Sequence, residues 1–202
     1  MIVDSTPIAM PTEDKITLLA KVARTPAIHD DSATESDRGI DGGSILSLAA
    51  ASYGAKPAED ATVPTGFDPM AIALFEAIVE AAYLVAAADG VVDEEERRTF
   101  ERVVTAACGG AVAPKHVAEL VADLEDQLTE DGMDRRIEMM GKTILKKSHA
   151  QEVLCIAALI AQASESVSDV ERDVLVRIAG SCGLVAGDVD VALREVKEAL
   201  AT

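Results

Sequence analysis

The stretch AAADGVVDEEER, residues 86–97, decides the fold of this chain. It places five acidic side chains around one glycine, between two apolar segments with helical spacing. A weaker copy, AQASESVSDVER at 161–172, follows 75 residues later and carries Ser164 and Ser168 where the first copy has aspartate. Two matching helix–turn–helix units, only one of them rich in carboxylates, predict an internal duplication with one specialised copy.

The composition favours a compact bundle of helices. The chain has 202 residues, 49% of them hydrophobic, with no Trp, three Phe and two Tyr. A core of Ala, Val, Leu and Ile interlocks through small side chains at close helix spacing, which favours helices over a β-sandwich. The length allows one sizeable domain, and we expect one core with an appendage.

The charge excludes several classes of partner. A net charge of −18 and a pI near 4.4 argue against nucleic acid, because binding phosphates requires a basic patch. Anionic membrane surfaces are disfavoured for the same reason. Acidity on this scale is typical of a soluble cytoplasmic protein, of a cation binder, or of a protein whose partner has a basic face.

Three features predict a cytoplasmic location. The N-terminus lacks the basic and apolar regions of a secretory signal. The apolar run at 70–88 is interrupted by Glu76 and Glu80, which a membrane-spanning helix would not readily tolerate. The three cysteines lack C-x-x-C spacing, and we expect them to be reduced, buried core residues: Cys108, Cys155 and Cys182.

Residues 1–67 are predicted to be an N-terminal extension of the main domain. They carry most of the Pro and Thr and a Gly-Gly pair, so we expect low order or short docking helices. Two segments have the apolar pattern of a short helix, Thr12–Ala23 and Ser44–Tyr53. Either segment could dock on the main domain or on a partner.

Residues 68–202 predict about seven helices and no strand. Asp68 is a helix cap, and Pro69 takes the first helical position, where its missing N–H costs nothing. Capping-box pairs predict further helix starts at Asp93, Ser148 and Ser168. The predicted helices span 69–88, 93–108, a stretch from 114 to the turn at 131–132, the basic segment that follows, 148–163, 168–182 and 188–200.

One basic segment interrupts the acidic sequence. Its charges are interleaved with apolar residues, so it predicts either a surface helix that offsets neighbouring acid or a binding face. The surface helix is the favoured interpretation. The basic residues are Arg135, Arg136, Lys142, Lys146 and Lys147.

The acidic turn at 86–97 resembles the second half of an EF-hand calcium loop, but the match fails upstream. The first and third loop positions, which should supply oxygen ligands, would be Val85 and Ala87. Both belong to the apolar pattern of the preceding helix. A full EF-hand site is therefore not expected.

Two interpretations of the acidic turn stay open, and they are compatible. In the first, Asp93 and Glu96 form a capping box, and the other acids complement the positive end of the helix dipole. In the second, Asp89, Asp93 and Glu96 share a divalent cation, calcium or magnesium, with water or a neighbouring helix. A capping carboxylate has a second oxygen available, so one turn can serve both purposes.

These residues resemble the tellurite-resistance TerB family, small all-helical proteins built from two repeats, each marked by an A-x-x-D-G turn followed by Glu. The similarity covers 68–200, and the second repeat keeps Glu171 but has lost the Asp-Gly pair. The resemblance implies a cytoplasmic, non-enzymatic domain, associated with resistance to tellurite and other stresses, that binds divalent metal through acidic side chains. The ligands it implies here are Asp89, Asp93 and Glu96, with Glu171 in the second repeat.

No catalytic motif competes with this interpretation. The motifs G-x-S-x-G, the P-loop and G-x-G-x-x-G are absent from the sequence. We therefore expect no enzymatic activity. The three histidines are isolated in sequence: His29, His116 and His149.

The leading hypothesis is a cation-responsive stress protein that presents a helical surface to a protein partner. The alternative is a scaffold in which the acidic turn only caps helices and the N-terminal extension provides the tether. A third hypothesis places Thr12–Ala23 against a membrane-associated partner such as a transporter.

Overall fold

The computed structural model describes residues 13–25, 44–55, 68–90, 92–163 and 167–201. Within these residues the chain forms nine α-helices and no strand, which confirms the predicted all-α fold. Seven of them, α3 to α9, lie in the described part of 68–202, as predicted, and the total exceeds about seven because two further helices lie in the N-terminal extension. The helices are α1 (Glu13–Ala23), α2 (Ile45–Gly54), α3 (Pro69–Ala86), α4 (Glu94–Ala107), α5 (Pro114–Asp131), α6 (Met133–Thr143), α7 (Lys147–Ala161), α8 (Asp169–Ser181) and α9 (Ala186–Leu200).

The internal duplication stays a prediction. The repeats correspond locally at the starts of α4 and α8, where both copies form a capping box. Val91 of the first turn and 164–166 of the second, including Ser164, lie outside the described residues. Thr12, the first residue of the predicted N-terminal helix, also lies outside them.

Helix α3 is the central element of the bundle. It begins as predicted at Asp68, whose Oδ1 accepts hydrogen bonds from the N–H groups of Met70 (3.0 Å) and Ala71 (3.4 Å). Eleven of its 18 residues are buried, and it contacts α2, α5, α6, α7 and α8. By length and composition α3 is also the one helix in the described ranges that could cross a membrane. A core helix passes the same test, and the burial of α3 is that of a core helix.

Small side chains allow the helices around α3 to approach closely. A Cβ atom on Gly141 would lie 2.5 Å from Oγ of Ser181, so α6 and α8 cross at a point where only a hydrogen fits. Aromatic rings meet at two places. The ring centroids of Tyr53 and Phe75 lie 4.6 Å apart. A second pair of aromatic rings, one on α3 and one on α4, meets edge to face.

Two of the predicted helix starts are wrong. Helix α7 begins at Lys147, so Ser148 is already inside the helix and no side chain caps its start. Helix α9 begins at Ala186 rather than Asp188, because Asp188 acts at the third helical position, where Oδ2 accepts the N–H of Val185 at 2.8 Å. In both cases a polar residue suited to capping lies within the first turn instead of before it.

The cysteines are less uniformly buried than predicted. Cys108 is buried, whereas Cys155 and Cys182 are half-buried, and all three are free thiols. Burial raises the pKa of the Cys108 thiol to about 12. The same effect, with the nearby Glu195 and Glu152 carboxylates, raises the pKa of Cys155 to about 12. These thiols are therefore protonated and unreactive at neutral pH.

Arg136 is the exception in the predicted basic surface segment, whose other four basic residues are exposed as expected. It is only 8% exposed, and its Nε and Nη2 atoms both lie 2.7 Å from Oε1 of Glu80, which is 7% exposed. Its Nη1 atom lies 3.2 Å from Oδ2 of Asp131. Burial raises the pKa of Glu80, and the guanidinium of Arg136 partly offsets this increase. The pair joins α6 to the middle of α3, so Arg136 is a core residue.

Breaking this pair should destabilise the protein strongly. Replacing Arg136 with Met leaves Glu80 buried without its cation, and we expect the free energy of unfolding in urea to fall by about 3–5 kcal/mol. Glu80→Met combined with Arg136→Met should lose less, because no buried charge is left unpaired. Arg135→Met, on the exposed side of α6, is the control and should change stability by less than about 1 kcal/mol. Equal losses of unfolding free energy in Arg136→Met and in the double variant would contradict this explanation.

The N-terminal helices contribute to the core. Helix α1 buries Ile16, Leu19, Ala20 and Ala23 against the main domain. Helix α2 buries Leu46, Ala49 and Ala50 against α3.

A buried carboxylate from α7 caps the start of α2. Glu152 is 7% exposed, and its Oε1 accepts hydrogen bonds from the N–H groups of Ile45 and Leu46. Burial raises the pKa of Glu152 to about 7, although these backbone hydrogen bonds oppose the increase. Ser44, itself buried, caps the same turn by accepting the N–H of Ser47 at 3.2 Å.

The raised pKa of Glu152 predicts a pH-dependent stability. Between about pH 4.5 and 7 Glu152 is protonated in the folded chain and ionised in the unfolded chain, so stability decreases as the pH rises through this range. We expect wild type to lose on the order of 2–3 kcal/mol between pH 5 and 8 from this residue. Glu152→Gln should lack this loss, whereas Glu119→Gln, at an exposed site, should retain it. Parallel urea titrations would check this, and identical pH profiles for wild type and Glu152→Gln would contradict it.

Candidate functional site

The turn between α3 and α4 closes through backbone hydrogen bonds. The N–H of Ala87 donates to the carbonyl of Tyr83 at 2.9 Å, and the N–H of Gly90 donates to the carbonyl of Ala87 at 3.1 Å. Gly90 has a φ of 124°, a conformation that favours glycine. The backbone conformation of the turn therefore explains why a glycine is present at this point. Val85 and Ala87, the residues that an EF-hand would need as ligands, are buried in the core.

Asp93 and Glu96 form the predicted capping box. Oδ1 of Asp93 accepts the N–H groups of Glu95 (2.8 Å) and Glu96 (2.9 Å). In return, Oε2 of Glu96 accepts the N–H of Asp93 at 2.9 Å. Each carboxylate thus uses one oxygen for the box, while Oδ2 of Asp93 and Oε1 of Glu96 take no part in it. The local spacing D-x-x-E was sufficient to predict this arrangement.

The surrounding charges favour acid at this end of α4. Glu94, Glu95 and Glu96 lie in its first turn, where the positive end of the helix dipole stabilises carboxylates. The next residue, Arg97, extends away from the cap: its Nε lies 3.1 Å from Oε1 of Glu101. Its Nη1 lies 3.1 Å from a carboxylate of α5. The basic side chain nearest in sequence is therefore engaged with other acids.

Asp89 lies exposed at the end of α3, and its neighbour Val91 is outside the described residues. Glu171 belongs to a different turn, before α8, where Oε2 accepts both the N–H and the Oγ–H of Ser168 at 2.8 Å. Across the described ranges, no group of three or more His, Cys, Asp or Glu side chains is arranged to hold a metal ion. The structure brings Asp93 and Glu96 together, but in the described residues Asp89 does not complete a group of three with them, and Glu171 lies in its own turn.

The sequence did not predict that the side chain of Glu152 caps another helix. One signal was present, because Glu152 falls in register with Ile156 and Leu159 on the apolar face of α7. A carboxylate on such a face must find hydrogen-bond donors inside the protein. The donors are in α2, more than a hundred positions earlier, so local spacing could not identify them.

Replacing Asp93 separates its capping role from its charge. Asp93→Ala removes the acceptor of two N–H groups, and we expect a loss of about 1 kcal/mol in the free energy of unfolding. Asp93→Ser should retain most of this stability, because the Ser168 hydroxyl accepts the N–H of the third helical residue in the capping box of α8. Urea denaturation of the two variants measures the difference. Equal losses of unfolding free energy in Asp93→Ala and Asp93→Ser would show that the side chain of Asp93 does not stabilise the protein mainly through the capping box.

Comparison with known proteins agrees with the resemblance seen in the sequence. The family model described as "Tellurite resistance protein TerB" matches residues 75–195. No curated protein and no solved structure matches this chain. The matched region takes in all of α4 to α8 and most of α3 and α9, which is more than half of the 202 residues. The chain belongs to the TerB family.

Proposed function

We propose that this TerB-family chain is a non-enzymatic, cytoplasmic stress-response protein of the tellurite-resistance type, and that it binds a divalent cation weakly at the turn between α3 and α4. The observation that supports cation binding is that each carboxylate of the capping box uses one of its two oxygens for the box. Oδ1 of Asp93 and Oε2 of Glu96 accept backbone N–H groups, so each carboxylate keeps its second oxygen outside the box.

The chemistry of the turn suits a hard cation at low affinity. Calcium takes six to eight oxygen ligands, and magnesium retains several of its waters. Two capping carboxylates with Asp89 supply three acidic groups, and water must complete the shell. Asp89 is exposed, and in the described residues it does not form a ligand group with the two box carboxylates. We therefore expect a dissociation constant of about 10⁻⁴–10⁻³ M.

A second function is a helical scaffold in which the acidic turn serves only to cap helices. The observation that favours it is the capping box at α8, where Ser168 replaces the aspartate and the box still forms. The same hydrogen bonds account for Asp93 and Glu96 without a cation. In this case the partner-binding surface lies elsewhere on the bundle.

Titration calorimetry with calcium chloride and magnesium chloride distinguishes the two functions. The informative variant is Asp93→Ser, which removes a carboxylate but keeps the cap. Asp89→Ala removes the exposed acid that forms no part of the box. Asp169→Ala is the matched control, because it removes one exposed acid from the first turn of α8.

A cation site predicts binding heat for wild type and Asp169→Ala that is lost or weakened at least about tenfold in Asp93→Ser and Asp89→Ala, since each loses a direct ligand. Circular dichroism should show that all four proteins are equally folded. The scaffold function predicts no specific heat in any of them. Equal heat in all four would indicate diffuse binding to the acidic surface and would count against a site at this turn.

A further inference from the structure

The two most exposed large apolar side chains of the described residues lie in the linkers that lead into α7 and α9. Leu145 is 74% exposed, and Val185 is 69% exposed. Each follows by four residues the point where Gly141 of α6 and Ser181 of α8 come into contact. Both linkers therefore leave the same crossing of two helices.

The starts of α7 and α9 lie side by side. Gln151 of α7 and Asp188 of α9 line the same cleft of about 30 Å³, together with the exposed side chain of Val191. Val185 is held next to Asp188, whose Oδ2 accepts its N–H at 2.8 Å. Lys147 lies one helical turn before Gln151. Exposed apolar and basic side chains are therefore found at the same end of the bundle.

Basic charge is concentrated at this end. Residues 139–151 contain three lysines and one histidine but no Asp or Glu, although 36 of the 202 residues in the chain are acidic. Lys142 pairs with Glu138 at 2.6 Å. Lys146 and Lys147 are exposed, and Lys147 forms no ion pair with any other described residue. The linker before α7 is thus a basic surface on a strongly acidic protein.

The acids of α9 near this linker are engaged with other groups. Asp188 accepts the backbone hydrogen bond described above, and Asp190 pairs with Arg172 at 2.5 Å. Glu195, which lines the same cleft, accepts a hydrogen bond from the thiol of Cys155 at 3.8 Å. These carboxylates therefore do not account for the two exposed lysines.

Helix stability does not explain the lysines either. The start of a helix is its positive end, where acids are favourable and cations are unfavourable. Helix α4 follows this rule with three glutamates in its first turn. Helix α7 begins at Lys147, directly after Lys146, and has no acid in its first turn. A role in binding accounts for these positive charges better than a role in folding.

We propose that Leu145, Lys146, Lys147 and Val185, which we call the α7–α9 patch, bind an acidic segment of a partner protein that also carries large apolar side chains. Carboxylates of the segment pair with the lysines, and its apolar side chains cover Leu145 and Val185. Charge complementarity selects this occupant. A short acidic segment meets only the patch, whereas an anionic membrane or a second copy of the chain would also face the acidic remainder of a protein with net charge −18.

The α7–α9 patch shares no residue with the acidic turn at 86–97, so binding at the patch does not require a cation. Failure of the cation hypothesis would leave this proposal unchanged.

The test selects peptides from a random library displayed on phage, with the full-length wild-type chain as the target. A protein of net charge −18 attracts basic peptides to its surface in general, so acidic peptides in the selected pool report a locally basic site. The selected peptides are then labelled with a fluorophore, and fluorescence anisotropy measures their affinity for wild type and variants.

Two variants change the patch, and each has a matched control. Lys147→Glu reverses a charge of the patch, and its control is Lys115→Glu, at an exposed lysine in the first turn of α5. Val185→Ser removes an exposed apolar side chain, and its control is Val170→Ser, at an exposed valine in the first turn of α8. Circular dichroism should show that all four variants are folded, because every substituted side chain is exposed.

The selected peptides should combine Asp or Glu with large apolar residues. They should bind Lys147→Glu and Val185→Ser at least about tenfold more weakly than wild type, since the first change opposes like charges and the second removes apolar area from the interface. Both controls should bind them as wild type does.

A pool that is empty or basic would overturn the proposal, as would peptides that bind wild type and either patch variant equally. Binding to vesicles that contain phosphatidylserine, if Lys147→Glu abolishes it, would assign the patch to a membrane instead. Self-association in sedimentation experiments that Lys147→Glu abolishes would assign it to a second copy of the chain. Either result would also overturn the proposal.

Discussion

The burial of α3 is the constraint on which the rest of the structure depends. The buried face of this 18-residue helix has no water for polar groups, yet it carries Glu80. Arg136 satisfies that carboxylate from α6 and contacts Asp131, which ends α5. The two ion pairs of one guanidinium therefore connect α5 and α6 to the central helix. With α3 positioned in this way, its end at Ala86 places the acidic turn at the surface.

A second buried carboxylate connects the N-terminal extension to the family domain. Glu152 meets the unpaired N–H groups at the start of α2, so the helix end and the buried acid satisfy each other. Glu80 is paired with a cation, whereas Glu152 accepts hydrogen bonds from backbone N–H groups. Burial raises the pKa of Glu152 to about 7, and these hydrogen bonds offset part of the increase. Helices α1 and α2 both bury apolar residues against the main domain, so both belong with it structurally.

The features that could be predicted from the sequence are those set by interactions within one turn of helix. The caps at Asp68 and Asp93 follow from contacts over two or three residues, and both were predicted. The same rule wrongly placed the start of α7 at Ser148, because that helix begins at Lys147 without a side-chain cap. The partners of Arg136 and Glu152 come from distant segments, and no local pattern identifies them. At the candidate site, the D-x-x-E spacing was enough to predict that Asp93 pairs with Glu96. The position of Asp89 could not be predicted in this way, because it depends on how the chain turns at Gly90.

The amount of charge at the α3–α4 turn is more than capping requires. At α8 a serine and one glutamate complete the same box, so Asp93 could be neutral without loss of the cap. Additional carboxylates at adjacent positions repel one another, and the net charge of −18 adds to this cost. The helix dipole offsets part of the repulsion for Glu94 and Glu95, but Asp89 lies before the cap and gains little from it. A cation between Asp89 and the box would relieve the repulsion without breaking any backbone hydrogen bond. The capping geometry and the cation hypothesis therefore use different oxygens of the same side chains.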